Sequence, residues 1–476
     1  MGNQKFDPLM QELVDHVYSN EPSSEQSLEL ARYALLDSIG CALAALDNEP
    51  CKQLLSTMKF TLGASNGARV PGAGEEFGPI EAAFQIGTLI RWLEFNDTWL
   101  AQEWGHPSDN LGAILAVADW VSRNNRIAGR EPVSMRTVLD VMVKVYEVHG
   151  VLCLENCFNK LGIDHVIFVK VASSIAASVL MGLSREQALN ALSNAFIDGH
   201  SLRTYRHAPN AGTRKSWAAG DATARGVQLA LFSQSGEMGY PSALSTPRWG
   251  FNDAVFQGKE MLLGRPLGEY VIENILFKVP NPAEYHAQTA VEGAIKLHAF
   301  MHEKGLVIDD ISEIFIETQK PAMQIINKVG VLGNPADRDH CLQYMVAVAA
   351  LNGDLTIEDF DGPIAFDPRV DQLRDKIRCE EKPEYTANYY APDKRSIGNT
   401  LTVRFKAQIE PFVAAIEYPV GHRVRRSECL PLLVQKFTAN ASVRYGSERS
   451  KNIEKLITSS SDLEGLAADD FMQLLA

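Results

Sequence analysis

Cysteine is scarce in this sequence: there are seven among 476 residues, an odd number. Cys41, Cys51, Cys341, Cys379 and Cys429 are scattered and no C-x-x-C occurs, so neither a disulfide framework nor an iron–sulfur site is expected. Cys153 and Cys157 stand four apart in an apolar, helix-periodic stretch with no further ligand types at metal-site spacing, and read as core cysteines. Long apolar runs are lacking as well. The longest uncharged one, Val171 to Ser184, is too short to span a bilayer and holds several serines. The opening segment carries acids early and has no uninterrupted apolar core, which argues against a signal or Arg-rich transit peptide. Phe6 where Ser or Thr would be needed argues against myristoylation at Gly2. Cations are in deficit, with 45 Lys and Arg against 59 Asp and Glu and a formal charge of −14. Nucleic acid and anionic membranes are bound mainly through excess positive charge, so neither is an expected partner. A soluble cytoplasmic protein is expected. No P-loop, G-x-G-x-x-G, H-E-x-x-H or EF-hand pattern is present. One G-x-S-x-G occurs, at Gly63 to Gly67, but Val70-Pro71-Gly72 follows where a nucleophile elbow requires a helix, so it reads as a chance match.

What is present is ample apolar material, 46% of residues against 22% charged, enough for a large core in more than one folding unit. The first half reads as helix after helix. Leu28, Leu35, Ile39 and Leu43 share a face, Pro79 opens a second helix, and Ser108 and Ser134 are placed to cap two more. The small-residue stretch from Asp164 to Leu183 suits an interior helix, and Ser184 to Gln187 has the form of a capping box. The spacing predicts a further helix over Ser216 to Ser233. The character changes near residue 270. Ile311 to Glu317, Thr400 to Phe405 and Val413 to Tyr418 are strand-like, with helical candidates at Pro282 to His302, Pro335 to Leu351 and Val370 to Arg378. The expected architecture is mainly α: a helical main domain over 1–270, a smaller α+β domain over 271–422, and helices over 423–476 that return to the first domain.

Polar stretches that interrupt good helices are where chemistry is expected. Glu94 to Thr98 leads through Trp104-Gly105-His106-Pro107 to Ser108, on a connection able to reach a cleft. Capping accounts for Ser108 and Asp109 but not for Asp97 or His106. His165 precedes the apolar helix and gains meaning only if it shares a cavity with His106, imidazole being the side chain best poised for proton transfer near neutral pH. From Arg203 to Lys215 an acidic protein places four cations, Arg203, Arg206, Arg214 and Lys215, without one intervening acid. A solvated basic loop is the plain alternative, but clustered Arg among Gly, Pro and Asn suits capture of a carboxylate. At an effective dielectric of about 20, a cation about 4 Å from a carboxylate gains about 4 kcal/mol before desolvation. The global negative charge is largely screened beyond about 8 Å, so the local cluster decides. Lys278 and the Pro282 to Thr289 segment, with Glu284 and His286, mark the domain junction. Together these residues point to a metal-free enzyme doing proton chemistry on a small polycarboxylate.

The same residues carry a family resemblance. RWLEFNDTWLAQEWGHPSDNLGAIL, GIDHVIFVKVASS, SLRTYRHAPNAGTRKSWAAGDATARG, GEMGYPSALS, NPADRDHCLQYMVA and EYPVGH closely resemble the MmgE/PrpD family. The resemblance implies a helical main domain with an α+β lid, a homodimer, no iron–sulfur cluster and no cofactor. It also implies the loss of water from 2-methylcitrate to give 2-methyl-cis-aconitate in propionate catabolism. By it, Asp97, His106, His165 and Lys215 are the candidate catalytic residues, and Glu94, Thr98 and Lys278 candidate substrate contacts; the cationic cluster adds Arg203, Arg206 and Arg214 as further candidate substrate contacts, and His286, near the domain junction but not aligned with a family residue, is one more. Related cis-aconitate decarboxylases place an active-site His directly after a Pro-Ala pair. Here Glu284 follows Pro282-Ala283, with His286 two residues on, which favours dehydration over decarboxylation. Asn281 stands where dehydratase-like sequences often show Phe, a departure expected to tune substrate preference. Spacing alone does not say which imidazole is acid and which base. A non-catalytic tricarboxylate-binding protein would keep the cations without needing both imidazoles.

Overall fold

The computed structural model describes residues 5–60, 66–207 and 209–476; Gly2 and the residues Gly63, Ala64 and Ser65 of the G-x-S-x-G string lie outside the described residues. The chain forms two compact units. The first gathers the residues up to 207, 214–275 and 433–476; the second holds 209–213 and 276–432. The protein is mainly α-helical.

The first unit is built on α1 (Pro8–Val17), α2 (Glu25–Ala45), α3 (Glu49–Ser56), α4 (Pro79–Trp92), α5 (Leu111–Ile127), α6 (Met135–Glu155), α7 (Val166–Leu180), α8 (Arg185–Ile197) and α9 (Arg214–Gln234). Local chemistry starts several of them. Ser24 and Ser134 accept the N–H of Ser27 and Thr137, and Ser184 with Gln187 forms the reciprocal capping box that the sequence announced. Helix α7 is buried on every side from Val166 to Ser178, as its apolar composition requires. Each fully buried Val, Leu or Ile in such a helix stabilises by about 1.5–3 kcal/mol. Two short antiparallel ribbons interrupt the helices: β1 (Ala68–Arg69) with β2 (Glu76–Phe77), and β3 (Trp99–Leu100) with β4 (Trp104–Gly105). The last segment closes this unit. Met135 N donates to the Leu466 carbonyl at 2.8 Å, and Arg126 Nε donates to Asp469 at 2.6 Å.

Glycine lets three central helices approach closely. A Cβ on Gly220 of α9 would sit 2.2 Å from Thr88 Oγ1 and 2.5 Å from the Phe84 carbonyl, both on α4. A Cβ on Gly226 would sit 2.7 Å from Ser173 Cβ on α7. These contacts set the directions. Ser216 Oγ bonds the Trp92 carbonyl at 3.2 Å, so α4 runs antiparallel to α9. Val166 and Val169 of α7 pack with Ala218 and Ala222 of α9, so those two run parallel. The C-terminus of α4 and the N-termini of α7 and α9 therefore meet at one end of the unit.

The second unit carries a four-stranded sheet of β5 (Ile311–Thr318), β6 (Ile377–Glu381), β7 (Asn399–Phe405) and β8 (Phe412–Ile416), in the order β6-β5-β7-β8. Strands β5 and β6 are parallel and the other pairs antiparallel. Ile314 and Ile316 of β5 and Leu401 and Val403 of β7 are buried with Val291, Ala294 and Leu297 of the helix Gln288–Lys304 and with the helix Leu342–Asn352. Asn281, expected to touch substrate preference, spends its side-chain amide within this unit, donating to Asp354 Oδ1 at 2.7 Å and the Leu355 carbonyl at 2.9 Å.

Candidate active site

Helix α4 ends at Trp92, and Glu94 takes a left-handed φ of 53° that turns the chain back across the helix ends. Arg91, in the last turn of α4, pairs with Glu94, and both are buried. The next residues feed the β3–β4 ribbon, which delivers His106. The His106 ring is held by main chain: its Nδ1 lies 2.6 Å from the Asp97 carbonyl oxygen. A carbonyl only accepts, so Nδ1 carries the proton.

The Asp97 carboxylate turns instead to Ser108, accepting its hydroxyl at 2.6 Å and its N–H at 3.3 Å. Ser108 is therefore not the cap that its position suggested. Asn96 Nδ2 donates to it at 2.8 Å, and α5 begins three residues later at Leu111. Burial pushes Asp97 up to about 6 against the opposing hydrogen bonds of Ser108 and Tyr146. Asp109 is also raised by burial, with Arg91 opposing.

His165 precedes α7, and its ring centroid lies 5.7 Å from that of His106. The two imidazoles are thus neighbours. Burial drives His165 far toward its neutral form. Asp164, 3.7 Å from its Nε2, opposes this, while Arg206 and Arg203 add to it. Asp164 is gripped by Arg206 through two hydrogen bonds, one of them 3.1 Å from Nη2. Although burial opposes ionisation, Arg206, His165 and Arg203 hold the Asp164 carboxyl well below the usual carboxylate range. A backbone bridge between Ile163 and Leu202 ties the His165 segment to the arginine segment.

The four cations differ in circumstance. Arg206 is engaged by Asp164. Arg203 is buried, its guanidinium 5.9 Å from the Trp104 ring centroid, and its Nε and Nη1 have no hydrogen-bond partner among the described residues. Arg214 is stacked 4.1 Å from the Trp217 ring centroid and lies 3.7 Å from Asp221. Lys215 is buried in the first turn of α9, at the end where α7 begins. Thr98 Oγ1 and His165 Nδ1 are likewise buried without a partner among the described residues. Buried polar atoms are rarely left unsatisfied, so these orphans are candidates to receive polar groups of a ligand.

Lys278 and His286 belong to the second unit. There Glu284 accepts the His286 N–H at 2.9 Å and lies 2.9 Å from its Nδ1, while His286 Nε2 is 3.2 Å from the Tyr389 hydroxyl. Although burial opposes ionisation, His286, His340 and Lys278 hold Glu284 down to about 2. Glu284 thus orients His286 where the decarboxylase pattern would have an imidazole of its own.

Sequence reasoning missed several contributors. Arg91 was hidden as the lone cation of an apolar helix. Its distance from Glu94, one helical turn, was the available signal. Asn110, which bridges Ser173 Oγ at 2.9 Å and His149 Nδ1 at 3.0 Å, looked like an ordinary helix start. Asp37 and Lys436, 2.7 Å apart, lie too far apart in sequence to announce each other.

The MmgE/PrpD N-terminal domain model matches residues 11–263, and the MmgE/PrpD C-terminal domain model matches residues 282–462. The chain is 49% identical to 2-methylcitrate dehydratase of Salmonella typhimurium over 469 residues, 98% of this chain and 97% of that protein. It is 49% identical to the protein of the same name from Cupriavidus necator over 470 residues, 99% of this chain and 97% of that one. With the mitochondrial 2-methylcitrate dehydratase of Yarrowia lipolytica it shares 47% identity over 470 residues, 98% of this chain and 90% of the other. Matched in both domains and along almost its whole length, the chain belongs to the MmgE/PrpD family.

Proposed function

We propose that the protein eliminates water from 2-methylcitrate to form 2-methyl-cis-aconitate, a hydro-lyase step of the propionate-degrading methylcitrate cycle that uses no metal or other cofactor. The names and extent of its relatives support the substrate. One observation carries the chemistry: two buried imidazoles 5.7 Å apart, one with its Nδ1 held by a main-chain carbonyl and the other driven toward its neutral form, beside an arginine with buried, unsatisfied nitrogens.

Burial, with Asp164 opposing and Arg206 and Arg203 adding to it, holds His165 neutral, so it is assigned as the base. It takes the proton from the carbon that bears a carboxylate and adjoins the hydroxyl-bearing carbon. The C–H electron pair becomes the new C=C bond, and the C–O bond breaks. His106, with Nδ1 anchored on the Asp97 carbonyl, donates from Nε2, and the hydroxyl departs as water. Negative charge grows on the substrate carboxylate during proton removal, so contacts from Arg203 and Lys215 strengthen in the transition state. Thr98 supplies a further substrate contact, and Arg206 holds Asp164 and through it the His165 turn. Glu94 acts through Arg91, Asp97 through its carbonyl, and Arg214 at the margin of the cationic segment. Lys278 and His286 are further candidate substrate contacts. A cytoplasmic homodimer completes the proposal; among the described residues no helix is long and apolar enough to cross a membrane.

The test is to supply the purified protein with 2-methylcitrate, citrate and cis-aconitate and to identify products by NMR. The expected result is 2-methyl-cis-aconitate from the first, with slower interconversion of the other two. Itaconate as the main product from cis-aconitate would replace this reading with decarboxylation, and binding without turnover would replace it with a binding protein.

A further inference from the structure

Lys436 is a buried ammonium on the helix Arg426–Thr458. Its Nζ lies 2.7 Å from Asp37 Oδ1 on α2, donates to the Phe95 carbonyl at 2.5 Å, and sits 3.6 Å from the Phe95 ring centroid. A buried ion pair is weak support for stability, because desolvation offsets the Coulomb gain. What this one does contribute is geometric. Phe95 lies between Glu94, whose φ of 53° is strained for a residue with a side chain, and the Asn96-Asp97 pair. Pinning the Phe95 carbonyl and ring fixes the turn that presents the Asp97 carbonyl to His106 Nδ1 and the Asp97 carboxylate to Ser108. Three segments remote in sequence, at residues 37, 95 and 436, thereby converge one step behind a reacting imidazole.

We infer that Lys436, with Asp37 as its counter-ion, is a positioning residue for proton transfer at His106. It touches no reacting atom and acts through the Phe95–Asp97 main chain. The inference rests on the proposed role of His106, and its test includes a readout that needs no substrate.

Lys436→Met alone would strand the Asp37 charge and is liable to unfold the protein. The variant to use is therefore Lys436→Met with Asp37→Asn, which removes both charges, alongside Lys436→Arg, which keeps the cation. Misplacing a catalytic group by about 1 Å costs on the order of 10²-fold in rate. The double variant should melt as a single cooperative unit, keep KM within about threefold of wild type, and lose kcat by on the order of 10²-fold. In histidine-labelled protein without substrate, the His106 ring-nitrogen resonances should report loss of the Nδ1 hydrogen bond. The neighbouring groups Asp97, Asp109 and His165 would be unaltered in sequence. Lys436→Arg should recover part of kcat. A folded double variant with wild-type kcat and unchanged His106 resonances would overturn the inference, as would a fall in kcat with His106 undisturbed. If wild-type protein turned over none of the three acids, the functional reading would fail while the imidazole signal still decided this one.

Discussion

Arg206 spends its guanidinium on Asp164, whereas Arg203, three residues earlier, keeps Nε and Nη1 buried without a hydrogen-bond partner among the described residues. Two arginines that look equivalent in sequence thus have separable jobs. Arg203→Met should raise KM and weaken tricarboxylate binding, since charged hydrogen bonds contribute about 1.5–3 kcal/mol, while thermal stability changes little. Arg206→Met should leave a buried, unpaired Asp164 carboxylate and cost about 3–5 kcal/mol of stability. Calorimetric titration and thermal melts of the two proteins separate the outcomes. Equal effects of both changes on melting would contradict the assignment.

His165→Gln keeps a polar side chain but removes the proposed base. General acid–base groups typically supply about 10²–10⁴-fold in rate, so kcat should fall within that range while ligand affinity stays near wild type. Normal turnover in a folded variant would make His165 structural.

Glu103 should give the fold a visible pH dependence. Burial raises its carboxyl from 4.5 to about 7, against the opposing influence of Arg203 and of the N–H groups of Asn159 and Trp104. Between those values the folded state holds a proton that the unfolded chain has released. This stabilisation is full below pH 4.5, declines as pH rises, and is gone above about 7. Asp97, raised to about 6, works in the same direction. Glu103→Gln should therefore flatten the melting-temperature profile between about pH 5 and 7 by the equivalent of a few kcal/mol. A variant whose profile matches wild type across that window would refute the raised carboxyl.

Chelation should leave the reaction intact. Among the described residues no three or more His, Cys, Asp or Glu side chains stand together as a metal site, and the proposed steps use only side-chain acids, bases and cations. Rates measured after exhaustive dialysis against a chelator should equal those before. Loss of activity restored by a divalent metal would overturn a metal-free elimination.

Much of the fold was legible because the first unit is helical and helices are written locally. Apolar spacing and the Ser184–Gln187 box located real elements. Of the candidate site, the residues that break helices, Asp97, His106, His165 and Arg203, stood out in the sequence, and the structure brings Asp97, His106 and His165 beside one another. Other features depended on distant chain. Strand β6, Ile377–Glu381, is largely exposed at a sheet edge and carries no apolar alternation, so its first residues read as the tail of a helix over Val370 to Arg378. The candidate helix Pro335 to Leu351 is broken at residues 339–341. The helix expected from Pro282 starts at Gln288, because Glu284 turns back to His286 instead. Ser108 looked like a cap because nothing local reveals the Asp97 carboxylate that faces it.

The three-part composition of the first unit bears on how the molecule is made. Its helices up to residue 275 leave the ribosome well before residues 433–476, which complete the same core with Leu433, Phe437, Ile457 and Phe471. At about 5–20 residues per second, synthesis of the intervening 276–432 segment holds the nascent core open for roughly ten seconds or more. During that interval the surface awaiting Phe437 and Phe471 is uncovered, the condition that recruits chaperones or leads to aggregation. Lys436 arrives only with that final segment, so the turn bearing Asp97 is finished last. A chain stalled or clipped before this point would retain every residue proposed to meet substrate and still lack a completed site.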